Sequence, residues 1–161
     1  EEDVLSTFKG QLCLDVYANE PNISLPLFAR AVIATPHIAG YSVQAKRRGV
    51  ALLYQHMREQ NVLPTMPEIE QVMPRQKLSF AGRAPHWQDV LLGIFNPLLM
   101  TNMMHTLMQD EATRAEAFDR LRDTFDYRYE FSFTDVECDM LLTEDRRVLQ
   151  ALNIGIVGSE V

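Results

Sequence analysis

The chain has 161 residues, of which 47% are hydrophobic, and a formal net charge of −7. This length and apolar content predict a globular protein of one domain, or of one small domain and part of another. The acidic balance argues against nucleic acid and anionic membranes as default partners.

Two short apolar runs near the start of the chain end in turn residues. Leu12 to Val16 and Ala31 to Thr35 each predict a buried strand, because Asn and Pro residues follow them. The segment between them, with Pro26 opening a short helix, is about long enough for the crossover that parallel strands need. Parallel neighbours end at one edge of a sheet, where open α/β sheets bind their ligands.

Acidic residues and a histidine follow the ends of these two strands. Asp15 and Glu20 come after the first strand and His37 after the second, so we expect all three to face one crevice. A carboxylate beside an imidazole fixes which ring nitrogen is free, which makes Glu20 and His37 a candidate general acid/base pair. Asp15 is expected to accept a hydrogen bond from an amide. Pro36 is expected to let His37 leave the strand extended.

Each of these residues also has a plain structural interpretation. Asp15 then caps a turn, Glu20 is a solvated residue before Pro21, and His37 is a loop histidine bonded to backbone. The residues taken singly leave both interpretations open.

Three linked motifs resemble a known family. They are Leu14-Asp15-Val16-Tyr17, Glu20-Pro21 and Pro36-His37-Ile38-Ala39-Gly40. Together they resemble the signature of the D-isomer-specific 2-hydroxyacid dehydrogenases, NAD-dependent oxidoreductases. The resemblance implies a fold in which this part of the chain is the end of a Rossmann-type parallel sheet.

The resemblance also implies a role for each matching residue. His37 matches the catalytic proton carrier and Glu20 matches its carboxylate partner. Asp15 matches a cofactor contact near the nicotinamide, and Gly40 matches a position where backbone approaches NAD. Tyr41 matches a substrate contact in a branch of the family that takes a phosphorylated small 2-hydroxy acid, and its alternative interpretation is an aromatic flank of the next helix.

Parts of the family pattern are not found in the chain. No Gly-x-Gly-x-x-Gly sequence occurs in it, and the family's ribose-binding acid and catalytic arginine precede the matching segment. We therefore expect a C-terminal fragment that is inactive by itself. Residues 3–10 are expected to be the last helix before the first strand.

After Tyr41 the pattern becomes helical. Ser42 is predicted to cap a helix that runs to about Glu59, with Val50 and Leu53 among its regularly spaced apolar residues. The resemblance implies that this helix returns to the substrate domain. The basic triplet 46–48 on its polar face is interpreted as solvated, with attraction of a phosphate as the alternative.

The proline-rich residues 61–74 are predicted to be an interdomain linker. The residues after it, 75–161, predict a small α+β domain. The predicted helices are Pro85 to Phe95, Leu98 to Met108, Ala112 to Thr124 and Glu144 to Leu152, and the predicted strands are Gln76 to Phe80, Tyr129 to Val136 and Ile154 to Val157. The methionine-rich Leu98 to Met108 helix is apolar nearly all round, which indicates buried core or a subunit interface.

Residues 118–122 and 128–132 resemble the family's dimerisation domain. The resemblance implies a homodimer joined through residues after Pro74, and the composition is typical of a cytoplasmic protein. Arg128 matches an arginine near that interface and is a candidate contact for a substrate phosphate, with a surface salt bridge as the alternative. The domain assignment is therefore 1–40 for the end of the NAD-binding domain, 41–60 for the return helix, 61–74 for the linker and 75–161 for dimerisation.

Three functional hypotheses remain at this point. The chain is part of an NAD-dependent dehydrogenase acting on a phosphorylated 2-hydroxy acid, or part of a dehydrogenase with a different 2-hydroxy acid substrate. The third hypothesis is a dimerisation or interaction module without catalysis. No metal is expected, because the Cys and His residues lack metal-ligand spacing.

Overall fold

The computed structural model describes residues 3, 7–64 and 72–158. The elements in chain order are β1 (Leu12–Leu14), α1 (Leu25–Phe28), β2 (Ala31–Ala34), α2 (Val43–Glu59), β3 (Gln76–Phe80), α3 (Trp87–Ile94), α4 (Pro97–Leu107), α5 (Arg114–Asp123), β4 (Thr134–Cys138), α6 (Thr143–Ala151) and β5 (Gly155–Val157). All pairings between these strands are parallel, which confirms the predicted fold class.

The chain folds as two compact units. The described residues within 1–40 and 96–126 form unit one, and those within 41–95 and 127–161 form unit two. The four functional domains predicted from the sequence stay a prediction. Among the described residues, no single helix is long and apolar enough to cross a membrane, and α3 and α4 pass that test only when they are counted together.

Unit one is built on the parallel pair of β1 and β2, with α1 as the crossover. Helix α4 packs on β2 through the buried hydroxyl of Thr101. This hydroxyl accepts a hydrogen bond from the Ala34 N–H at 3.0 Å and lies 3.0 Å from the Ala34 carbonyl oxygen. A side chain from α4 therefore meets both outward-facing backbone groups at the end of β2.

The apolar residues of α4 divide into a buried and an exposed set. Met100 and Met104 are buried, as are Phe118 and Leu121 on α5. Leu98, Leu99 and Met103 are exposed on the other side of α4. The helix that the sequence shows as apolar nearly all round thus contributes only part of its surface to the core of unit one.

Unit two is a three-stranded sheet in the order β3, β4, β5. Helices α3 and α6 pack on it, and the core residues are Val90, Ile94, Val136, Cys138, Leu149 and Ile154. The predicted strand at Gln76–Phe80 and the helices flanking Pro97 are confirmed. Pro97 itself occupies the first turn of α4, where its missing N–H costs nothing.

The predicted strand from Tyr129 to Val136 is wrong over its first half. Residues Phe131–Phe133 form a 3₁₀ helix, and the strand begins at Thr134. The Glu130 carbonyl accepts hydrogen bonds from the Phe133 N–H at 2.9 Å and from the Thr134 hydroxyl at 3.1 Å. These two bonds turn the chain back on itself before it enters the sheet.

Helix α2 matches its predicted bounds, and the Ser42 hydroxyl accepts a hydrogen bond from the Ala45 N–H at 2.9 Å. Its regularly spaced apolar residues do not face a core, because Val50 and Leu53 are 69% and 61% exposed. The side chain that α2 buries is Gln44, which bonds to the Pro74 carbonyl and the Glu130 N–H.

Two sequence predictions fall partly outside the described residues. The predicted linker 61–74 includes residues 65–71, and the predicted helix over residues 3–10 includes residues 4–6.

A guanidinium and a carboxylate join the start of β3 to β4. Arg75 donates to Asp135 twice, at 2.8 Å and 2.6 Å, and to the Ser132 carbonyl at 2.8 Å. The hydrogen bond from Arg75 holds the pKa of the Asp135 carboxyl below its usual value. Asp135 lies opposite Gly155 on β5, and a Cβ added at Gly155 would overlap the Asp135 carboxylate.

The substitution Gly155→Ala should therefore destabilise the chain. Forcing a methyl group into an occupied place typically costs about 1–3 kcal/mol. The matched control is Gly49→Ala, because a Cβ there meets nothing within 4 Å and alanine is the better residue inside α2, by about 0.5–1 kcal/mol. Thermal denaturation should show a lower Tm for Gly155→Ala and an equal or higher Tm for Gly49→Ala. Equal melting of Gly155→Ala and the unmodified chain would contradict this account.

Candidate functional site

The candidate site lies at the carboxyl ends of β1 and β2 in unit one. Asp15 follows β1, and its carboxylate accepts three hydrogen bonds. They come from the Thr35 hydroxyl at 2.6 Å, the Ile38 N–H at 2.8 Å and the Ala39 N–H at 3.0 Å. The Asp15 carbonyl also accepts from the His37 N–H at 2.8 Å. Asp15 thus fixes the course of the backbone on both sides of His37.

The backbone of His37 differs from the sequence prediction. An extended conformation was expected, and the observed φ is +57°, in the left-handed region. Pro36 restricts only the residue before it, so it does not determine this angle. A non-glycine residue stays in this region when its surroundings fix it, and such residues cluster at functional sites. Here the amides of Ile38 and Ala39 both turn towards the carboxylate of Asp15.

Glu20 and His37 form a direct pair. The Nδ1 atom of His37 lies 2.8 Å from Oε2 of Glu20, and the other oxygen of Glu20 accepts from the Tyr17 N–H at 2.8 Å. The His37 side chain is 48% exposed and that of Glu20 is 16% exposed. When Nδ1 carries the proton and donates a hydrogen bond to Glu20, Nε2 has a free lone pair. The pair therefore has the arrangement of a general base oriented by a carboxylate.

Tyr17 anchors the loop that carries Glu20. Its ring is buried and meets Phe118 edge to face, with ring centroids 5.9 Å apart. Burial raises the pKa of the Tyr17 phenol above its usual value, and the carboxylates of Asp15 and Glu20 raise it further. The phenol therefore stays protonated in the neutral range, and Tyr17 is not an acid there. Its role is to hold the loop in place through its buried ring.

Sequence reasoning gave no role to Tyr17 or to Thr35. Each had a signal, since Tyr17 is the aromatic residue of the first motif and Thr35 is the only polar side chain in its predicted strand. Gly40, at the end of unit one, has nothing within 4 Å of the place a Cβ would occupy. The approach of a cofactor to Gly40 stays a prediction.

Unit two contains the two predicted substrate contacts. Tyr41 meets Tyr127 edge to face with centroids 5.6 Å apart. The next residue, Ser42, pairs with Arg128 in a parallel bridge, and the Val43 N–H donates to the Arg128 carbonyl at 3.0 Å. Tyr41 and Arg128 therefore lie on neighbouring segments of the backbone.

The structure thus brings the predicted residues together in two groups. Asp15, Glu20 and His37 form one group in unit one, and Tyr41 and Arg128 form another in unit two. Within residues 3, 7–64 and 72–158, no group of three or more His, Cys, Asp and Glu side chains is placed to hold a metal ion.

Comparison with known proteins gives a consistent set of relatives. The chain is 34% identical over 126 residues to an erythronate-4-phosphate dehydrogenase of Coxiella burnetii, 34% over 131 residues to one of Marinobacter nauticus and 31% over 140 residues to one of Yersinia enterocolitica. These matches cover 74–81% of this chain and only 32–35% of the relatives, so the chain spans about a third of their length. No family model matches the chain.

Replacing Asp15 by Asn should release the backbone that it holds. An amide accepts weaker hydrogen bonds than a carboxylate, and the loss should be about 1.5–3 kcal/mol of stability. Hydrogen exchange at the Ile38 and Ala39 amides should become faster. Asp119→Asn is the control, because its 3.4 Å ion pair with Arg122 lies on a partly exposed helix surface and contributes little. Unchanged protection of the two amides in Asp15→Asn would show that the carboxylate does not hold them.

Proposed function

We propose that this chain is part of an erythronate-4-phosphate dehydrogenase, a cytoplasmic NAD-dependent enzyme that oxidises 4-phosphoerythronate at C2 in vitamin B6 biosynthesis. The observation that carries the proposal is the Glu20–His37 pair, 2.8 Å apart beyond the ends of two parallel strands. Similarity to proteins of that name supports it over most of the chain. The proposal concerns the complete protein, and the 161-residue chain alone is proposed to be inactive.

In this mechanism His37 is the general base. Its Nε2 atom takes the proton of the C2 hydroxyl while the hydrogen on C2 leaves as hydride, and the product is a 2-oxo acid. Glu20 accepts from Nδ1 and stabilises the imidazolium that forms. The backbone N–H of Tyr17 donates to the carboxylate of Glu20 and so keeps it directed at the imidazole of His37. NAD supplies the hydride acceptor when it is bound.

The residues that would hold NAD fit this role. Asp15 Oδ2 accepts one hydrogen bond from the described residues, from the Ala39 N–H at 3.0 Å. A carboxylate oxygen has room for a second donor, such as the carboxamide of a nicotinamide. Gly40 leaves its Cβ side open, which fits a cofactor passing close to backbone. Tyr41 and Arg128 are proposed to contact the phosphorylated substrate.

We also propose that the protein is a homodimer joined through residues after Pro74. The exposed apolar residues Leu98, Leu99 and Met103 on α4 support this. Apolar patches larger than a few hundred Å² are uncommon on monomers, and two-fold dimers are the most common closed assembly.

The catalytic proposal predicts separable losses in the protein expressed from its complete reading frame. His37→Ala should lower kcat by about 10²- to 10⁴-fold with little change in KM, because the general base is lost. Glu20→Gln should do less damage, since its amide oxygen still accepts from Nδ1. His56→Ala, on the exposed surface of α2, is the control and should keep full activity.

Steady-state kinetics with NAD and 4-phosphoerythronate measure these effects. Full turnover by His37→Ala would refute the assigned base. Oxidation of a simple 2-hydroxy acid in preference to 4-phosphoerythronate would favour a dehydrogenase of different substrate. Absence of any dehydrogenase activity would favour an interaction module.

The dimer predicts that two neighbouring methionines respond differently to charge. Met103 is 48% exposed, so Met103→Glu should give a folded monomer. Met104 is fully buried, so Met104→Glu should unfold the chain. Leu53→Glu, at an apolar site before Pro74 that is more exposed than Met103, is the control and should leave the dimer intact. Sedimentation of the unmodified chain as a monomer at tens of micromolar would contradict the dimer.

A further inference from the structure

Two tyrosine rings in unit two hold the side chain of Lys46. The ammonium of Lys46 lies 4.2 Å from the centroid of the Tyr41 ring and 5.3 Å from that of the Tyr127 ring. A cation within about 6 Å of an aromatic face is attracted by the ring electrons. The position of the Lys46 charge is therefore fixed by the two rings, although Lys46 itself is exposed.

The rings position this charge without neutralising it. Within the part of the chain that the structure describes, Lys46 has no carboxylate within 4.0 Å. An ammonium has three N–H donors, and oxygen atoms satisfy them far better than a ring face does. Lys46 is consequently a fixed cation at the surface that has the capacity to bind an anion.

The other two members of the basic triplet have different partners. Arg47 donates to the Val72 carbonyl at 3.3 Å. Arg48 donates twice to the Glu130 carboxylate, at 3.0 Å and 2.5 Å. The sequence alone does not distinguish these three residues. In the structure Lys46 lies against two aromatic rings, whereas the two arginines donate hydrogen bonds to oxygen atoms.

The carboxylate of Glu130 is already engaged. It also accepts from the Ser42 hydroxyl at 2.8 Å. The hydrogen bond from Arg48 lowers the pKa of Glu130, and the charge of Arg128 contributes to this. Residues 41–48 and 127–130 together contain four cations, Lys46, Arg47, Arg48 and Arg128, and one carboxylate, that of Glu130, in a chain whose net charge is −7. This local excess of positive charge favours an acidic ligand.

We propose that Lys46 is a binding residue for an oxyanion, a phosphate or a carboxylate, of the ligand that Tyr41 contacts. The inference rests on the proposed function, in which Tyr41 contacts an acidic substrate. The two rings hold the ammonium in place before the ligand arrives, so little side-chain freedom is lost on binding. Specificity for an acidic substrate then depends on Lys46 as well as on Tyr41.

Titration of the whole 161-residue chain with inorganic phosphate at constant ionic strength tests this proposal. NMR signals of the Tyr41 and Tyr127 rings and of the Lys46 ε-methylene report binding. Lys46→Met removes the charge and keeps the length of the side chain, so it should raise the phosphate Kd about tenfold or more. Lys46→Arg should retain most of the binding.

The matched control is Lys77→Met, which makes the same chemical change at a lysine paired with Glu137 at 3.2 Å in the same unit. It should keep the phosphate Kd of the unmodified chain. Because Lys46 and Lys77 are both exposed, all variants should keep their Tm, and a change in Kd then reports binding and not folding.

A second titration with acetate identifies the anion. Tighter binding of phosphate assigns Lys46 to a phosphate group, and equal or tighter binding of acetate assigns it to a carboxylate. The proposal is overturned if neither anion binds saturably, if Lys46→Met keeps the original Kd, or if Lys77→Met weakens binding as much as Lys46→Met does. The titration needs no turnover, so its failure removes only the role of Lys46. Absence of dehydrogenase activity in the kinetic assay removes the proposed function, and it is a separate result because the phosphate Kd is measured without turnover.

Discussion

The carboxylate of Asp15 is the constraint on which the candidate site depends. It binds Thr35, Ile38 and Ala39, three residues that the chain reaches only after the whole crossover between β1 and β2. Because these bonds fix the backbone around His37, the imidazole is presented to Glu20 at hydrogen-bond distance. A residue whose position at a strand end suggests a ligand contact therefore also has a structural role. The two roles are compatible, since a carboxylate has more acceptor sites than the loop uses.

Local patterns in the sequence predict most of the fold. The strand at Gln76–Phe80 and the helix that begins after Ser42 have the predicted bounds, because alternation, capping and proline positions are properties of neighbouring residues. The packing of α4 on β2 was not predictable in this way. It depends on Thr101 and Ala34, which are 67 residues apart, and no local pattern reports such a contact.

The candidate site can likewise be predicted from the sequence only in part. Parallel strands end at one edge, so the proximity of Asp15, Glu20 and His37 follows from the sequence. The left-handed backbone of His37 does not follow from the sequence, because it results from the hydrogen bonds that two backbone N–H groups donate to the carboxylate of Asp15, which is distant in sequence. The separation of Lys46 from its arginine neighbours likewise needs the structure, since Tyr127 is far away in sequence.

The bond between Thr101 and Ala34 also affects how the sheet of unit one meets other molecules. Thr35 donates to β1, so the backbone groups of Ala34 point to the other side of β2, where a further strand would pair. An unpaired strand edge is a template for aggregation, and natural proteins protect it. Here one threonine hydroxyl lies within hydrogen-bond distance of both groups, and the helix that carries it covers the edge. This end of β2 is therefore closed to strand addition by another chain.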